Sequence, residues 1–248
     1  MARGAIEALR ADREALLAIG ARLSDDDWRA GSGCPGWSVQ DVVAHMGTLF
    51  WAVVDPAALP DTTGLATEPA QDVCVEARRS WTAADVLADY ESVSTEALER
   101  LAALERQDFE LALGDLGTYP AFVLPNAFSF DHYTHIRADL FAPRGPLTDQ
   151  PPPSDELRLT PALDWIEAAL PQQNAGPFGS LTGTIEIAVC GPGARTIRLG
   201  SGEPMAHISS DAPSFVRWVT QRATWQELGV HAAGDERQLS MARTLRVF

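Results

Sequence analysis

Apolar residues return at helical intervals in four stretches of the first 141 positions. Ile6, Leu9, Leu16, Leu17 and Leu23 recur with charges between them and predict an amphipathic helix over about residues 3–23. "GSGCPGW" breaks it. Ser38 followed by Asp41 has the form of a capping box with Asp in place of Glu, and "SVQDVVAHMGTLFWAVV" predicts a second helix to about Val54, closed by Pro56 and Pro60. After a stretch rich in Pro, Thr and Asp that reads as loop, Thr82 and Asp85 open a third helix. Its stripe is Val86, Tyr90, Val93, Ala97, Leu101 and Leu104. A fourth helix begins near Pro120 or Pro125, both suited to a first turn, and runs to about Phe141. Four helices of this length predict a bundle.

The pattern then changes. "APRGPLTDQPPPSDE" holds five prolines and almost no large apolar residue, which marks an exposed linker and a domain boundary between residues 1–148 and 155–248. Beyond it, Thr160 and Pro161 start a short helix, "TPALDWIEAAL". "LTGTIEIAVCGPGARTIRLG" alternates apolar and polar residues around a Gly-Pro-Gly turn, as a hairpin does, and "PMAHISS" reads as a third strand. Asp211 and Asp235 are placed to cap two further helices. The second half is thus a small α+β domain.

Composition narrows the functional classes. A net charge of -15 with pI near 4.6 opposes a surface built to neutralise phosphates or anionic lipid, so neither nucleic acid nor membrane is an expected partner. All 19 basic residues are arginine, which excludes a Schiff-base lysine. Three widely spaced cysteines, Cys34, Cys74 and Cys190, offer neither a disulfide framework nor a CxxC pair, and they fit a reducing, cytoplasmic setting. The first residues lack the apolar core of a signal peptide.

Histidine is scarce, five in all, yet His132 and His135 stand close together just after Asp131. At about 100° per residue, Asp131 and His135 lie about 40° apart on one helix face, beside Phe128 and hence bordering the packed side. His45 falls among Val42, Met46, Leu49 and Val53 on the apolar stripe of the second helix. A lone inward histidine is ordinarily a core residue with one hydrogen bond. An inward Asp-x-x-x-His on another helix shifts the balance, because a divalent metal would satisfy all three groups and offset the cost of burying a carboxylate.

"CPGWSVQDVVAHM" and "DHYTHIRADL", followed by a compact domain ending in "GDERQLSMARTL", resemble the family of mycothiol-dependent maleylpyruvate isomerases, whose N-terminal domain is a DinB-like metal-binding four-helix bundle. The resemblance spans essentially the whole chain. It implies a divalent metal, usually zinc, held by a histidine of the second helix and a Glu-x-x-x-His of the fourth, here matched by His45, Asp131 and His135, with aspartate replacing glutamate. It also implies mycothiol as cosubstrate, bound at the coordination position that three protein ligands leave open, its sulfur attacking an electrophilic carbon. Isomerisation and S-transfer share that step. His132 is then a substrate-facing group or a support for the ligands, and Arg222, at the end of a helix near the interdomain cleft, would hold a substrate carboxylate in a bidentate fork. Thiol-independent hydrolase or lyase chemistry at the same metal, and a metal-stabilised binding module, are the alternatives.

Other candidates are weaker. Cys34 precedes a helix N-terminus and could be a nucleophile, but packing under Trp37 is the expectation, since the family uses an external thiol. "GSGCPG" follows no strand and Pro35 removes a donor, so a dinucleotide loop fails its context. Arg217 reads as a solvating arginine and Asp235 as a cap. His207, His231, Ser38 and Ser129 have no evident companions.

Overall fold

The computed structural model describes residues 3–179 and 181–248; Met1 and Ala2, at the head of the predicted helical domain, and Ser180 lie outside the described residues. The helical part contains α1 (Arg3–Gly20), α2 (Asp25–Arg29), α3 (Val39–Val54), α4 (Thr67–Glu76) and α5 (Ala83–Leu104). A two-stranded hairpin, β1 (Glu110–Ala112) and β2 (Thr118–Pro120), leads to α6 (Leu124–Thr134), which continues as a π-helical segment, His135–Leu140. α1, α3, α5 and α6 form the bundle around Leu9, Leu16, Val42, Met46, Phe50, Tyr90, Leu101 and Ile136.

Local signals explain the helix starts. Ser38 Oγ accepts from the Asp41 N–H at 3.1 Å while Asp41 Oδ2 accepts from the Ser38 N–H at 2.9 Å, and Thr82 with Asp85 does the same for α5. α1 stops at Gly20, short of the predicted Leu23, because Ser24 and Asp27 form a capping box for α2, which buries Trp28. α4 occupies the stretch expected to be loop. It buries only Cys74 and Val75, so its pattern is faint, and polar contacts to the rest of the fold hold it.

The second half opens with α7 (Glu156–Gln173), then α8 (Ala175–Phe178), β3 (Thr184–Cys190), β4 (Arg195–Gly200), β5 (Pro204–Asp211), α9 (Ala212–Val219), α10 (Trp225–Leu228), β6 (His231–Gly234) and α11 (Glu236–Ala242). α7 begins ahead of the predicted Thr160, since Asp155 caps it by accepting from the Arg158 N–H at 3.2 Å; Pro161 and Pro171 lie inside the helix. The sheet runs β4-β3-β5-β6, with β3 and β5 parallel and the other neighbours antiparallel. Gly191 and Gly193 take positive φ in the predicted hairpin turn. One sheet face packs Ile185, Ile187, Ile197, Leu199 and Ile208 against α7 and α9. α7 also packs on α1 and α6, and Tyr119, Phe130 and Tyr133 belong to its core. The linker therefore separates two halves that share a helix. No helix among the described residues is long and apolar enough to cross a membrane.

Candidate metal centre

α3, α6 and the π-helical segment bring His45, Asp131 and His135 together. His45 Nε2 lies 3.2 Å and His135 Nε2 3.4 Å from the same carboxylate oxygen, Asp131 Oδ1. One ligand atom from each of the three residues falls within 4.8 Å of the others. The two rings meet edge to face at 4.9 Å, and Trp37 covers His45 at 5.1 Å. Both histidines are buried, while the Asp131 side chain keeps 19% of its surface exposed.

The far nitrogens are also fixed. His45 Nδ1 lies 3.2 Å from Gln71 Oε1 of α4, and His135 Nδ1 lies 2.8 Å from Asp139 Oδ2. A carbonyl oxygen and an ionised carboxylate only accept, so each Nδ1 donates a proton to its outer partner and each Nε2 is left directed at Asp131, to which it donates when protonated and beside which it would be free for a metal when not. That is the arrangement by which outer partners orient metal-binding imidazoles. Asp131 Oδ2 is buried without a hydrogen-bond partner, so the carboxylate has acceptor capacity that the protein leaves unused. Two nitrogens and one carboxylate, one of whose oxygens is orphaned, fit a divalent cation of the zinc type.

The electrostatics agree. Burial works to raise the Asp131 carboxyl, but His135 and His45 outweigh it and hold the group well below the usual carboxylate range. Burial works to lower His135, and Asp131, with hydrogen bonds to Asp131, Asp139 and Cys34, lifts it well above its ordinary value. The negative potential that draws a proton there is the potential that would hold a cation.

His132 sits elsewhere. It has no exposed surface; Nδ1 lies 3.0 Å from the Phe128 carbonyl oxygen and Nε2 3.1 Å from Tyr90 Oη, and burial depresses its basicity. Both nitrogens are engaged in the bundle core, so the geometry gives it packing and support behind Asp131 and no face for a substrate.

Arg222 does reach this region from the second half, three residues beyond α9, but its fork is taken. Nε lies 3.0 Å from both Asp139 oxygens and Nη2 2.6 Å from Oδ2, leaving Nη1 with only a 3.5 Å contact to the Thr220 carbonyl. Cys34 is half-buried, with Sγ 3.6 Å from His135 Nδ1, and so lies at the cluster and not merely under Trp37. Cys34, His135 and Asp139 form a second close group, whose carboxylate Arg222 already neutralises. Asp235 caps α11, and Arg217 gives its carbonyl to the Arg222 N–H. His207 approaches Glu186 at 3.6 Å on the open sheet face, where His231 also lies.

Two participants escaped the sequence reading. Gln71 lies in the stretch whose composition predicts loop, and Asp139 has only its spacing of four from His135 to mark it.

In sequence, residues 9–123 match the family model described as mycothiol maleylpyruvate isomerase N-terminal domain. No curated protein matches the chain in sequence. In structure, the chain is similar to the crystal structure of the mycothiol-dependent maleylpyruvate isomerase, with TM-score 0.61, 14% identity and coverage of 95% of this chain and 94% of that one. A histidine-to-alanine mutant of that isomerase gives TM-score 0.62 at 13% identity, with the same coverage.

Proposed function

We propose that this protein is a metal-dependent isomerase or S-transferase that uses mycothiol, because residues 9–123 match the model of the mycothiol maleylpyruvate isomerase N-terminal domain and the chain shares the fold of the maleylpyruvate isomerase structures. The observation that carries this reading is the pair of imidazoles turned Nε2-first onto Asp131 by Gln71 and Asp139. His45, Asp131 and His135 would hold the metal, zinc by the character of the donors. When bound, such an ion supplies positive charge that favours the thiolate form of a thiol at neutral pH.

The remaining work falls to the chain's own residues. Gln71 and Asp139 keep the imidazoles oriented, and Trp37 shields His45 from water. Arg222 Nη1, the part of the guanidinium without a short protein acceptor, offers one N–H to a substrate carboxylate. The fork expected from sequence is thereby reduced to a single contact. A thiol attacking an activated alkene, followed by rotation and expulsion, gives isomerisation; retention of the adduct gives transfer.

The test is to load the protein with zinc, count metal per chain, and follow maleylpyruvate and a neutral electrophile with and without mycothiol. One metal per chain and turnover only with the thiol are expected. Equal turnover without thiol would place the chemistry in the hydrolase or lyase class.

A further inference from the structure

We propose that Asp139 is the positioning residue of this centre, fixing the His135 imidazole and tying it to the second half of the molecule through Arg222. The inference rests on the metal reading above. Asp139 has no exposed surface, yet it is a carboxylate, so its partners must compensate its charge. Oδ2 accepts from His135 Nδ1 at 2.8 Å and from Arg222 Nη2 at 2.6 Å; Oδ1 accepts from Arg222 Nε at 3.0 Å and faces Arg144 Nε at 3.7 Å. Its backbone carbonyl takes the Gly33 N–H at 2.8 Å. Burial raises the Asp139 carboxyl, but His135 and Arg222 outweigh it and keep it ionised.

Three separate segments are built to hold this contact. The loop before α3 rests on Asp139 so closely that a Cβ at Gly33 would lie 2.9 Å from Asp139 Cα and 3.1 Å from the Ala138 carbonyl oxygen, which only glycine avoids. Arg144 reaches from the linker to the carbonyls of Gly33, at 2.5 Å, and Arg222, at 3.1 Å. Arg222 itself follows Gln221, a residue at φ 58, strained for a side chain of this kind and retained by its Nε2 contact of 2.7 Å to the Leu245 carbonyl. All of this converges on a carboxylate whose bond to His135 goes to Nδ1 and leaves Nε2 aimed at Asp131. A group serving stability alone has no need to touch that imidazole. The cost of losing such an outer partner is about 10–100-fold in metal affinity.

Two variants test it beside the parent protein. Asp139→Asn keeps the shape but removes the charge, and its amide NH2 must face donors whichever way it turns, Arg222 Nε and Arg144 Nε on one side or His135 Nδ1–H and Arg222 Nη2 on the other; Gly33→Ala displaces Asp139 without altering it. Zinc affinity is read by competition with a chromophoric chelator, and ligand geometry by the visible spectrum of the cobalt-loaded protein. Asp139→Asn should bind zinc about 10–100-fold more weakly with a shifted cobalt spectrum, and Gly33→Ala should move both in the same direction by less. If Asp139→Asn does not fold, Gly33→Ala decides alone. A parent that binds zinc, with both readouts unchanged in the variants, overturns the role of Asp139 only. A parent that binds no metal overturns this inference and the metal reading together.

Discussion

At the residue scale, the candidate ligands are held by one oxygen. Asp131 Oδ1 faces both Nε2 atoms, so removing either imidazole takes away one of three donors. His45→Ala and His135→Ala should each abolish stoichiometric zinc, measured on the purified protein by elemental analysis; undiminished content in both would remove them from the centre. Asp131→Glu should retain metal, because the partly exposed side chain keeps its charge, whereas Asp131→Asn should bind more weakly by losing it. Equal affinity in all three would place Asp131 outside the ligand set. Arg222→Ala should raise KM for an acidic electrophile more than for a neutral one, by about 1.5–3 kcal/mol in kcat/KM if a charge-assisted hydrogen bond is lost. Because Asp139 loses its counter-charge as well, zinc affinity should fall in the same variant. Intact affinity with an unchanged acidic-to-neutral ratio would leave Arg222 without either role.

At the scale of elements, polar clasps decide how the helices sit. Asp12 of α1 is 1% exposed and lies 2.7 Å and 3.0 Å from the Nη atoms of Arg137, in the π-helical segment, and 2.7 Å from Arg158 Nε of α7. One carboxylate joins three elements, one of which carries His135. Asp12→Ala leaves the largely buried Arg137 without a carboxylate and Arg158 with Asp155 alone, and it should cost about 3 kcal/mol in urea unfolding. A loss under about 1 kcal/mol would show that solvent reaches the pair and screens it. α4 is held by the opposite logic: it buries little, and its bonds to Trp37, His45 and Asp115 come from single side chains. Gln71→Ala should therefore loosen the His45 ring and weaken zinc by about 10-fold while leaving the urea midpoint nearly unchanged. A shifted midpoint with intact affinity would make α4 a stability element only.

At the scale of the whole molecule, the two halves are less separable than the proline-rich linker suggests. Phe130 and Tyr133 of α6 pack into a core with Leu159, Leu163, Trp165 and Ile166 of α7, and Arg222 and Arg144 close over Asp139 from beyond the bundle. Residues 1–148 alone would expose that apolar face and leave Asp12 and Asp139 short of arginine partners. This fragment should bind a hydrophobic dye and lack a cooperative thermal transition. A sharp transition together with full zinc affinity would mean that the bundle is self-sufficient and that the second half serves only the substrate.

The sequence by itself determined the helices whose starts are local and whose faces are strongly apolar. Ser38 with Asp41 and Thr82 with Asp85 cap within four residues, so α3 and α5 were legible, as were the glycine turn between β3 and β4 and the inward placing of His45, Asp131 and His135 by helical period. What lies between distant segments was not written in any local pattern. α4 buries two residues and has no periodic stripe to announce it; the role of Gln71 exists only because α4 folds over α3. Asp139 looks like any acid one turn beyond a histidine until Arg222, 83 residues on, is brought against it, and that same pairing occupies the fork that sequence alone left free for a substrate. Period and caps act over a few residues and can be read from them. Charge compensation in a buried site acts through space, and only the tertiary structure decides which charges meet.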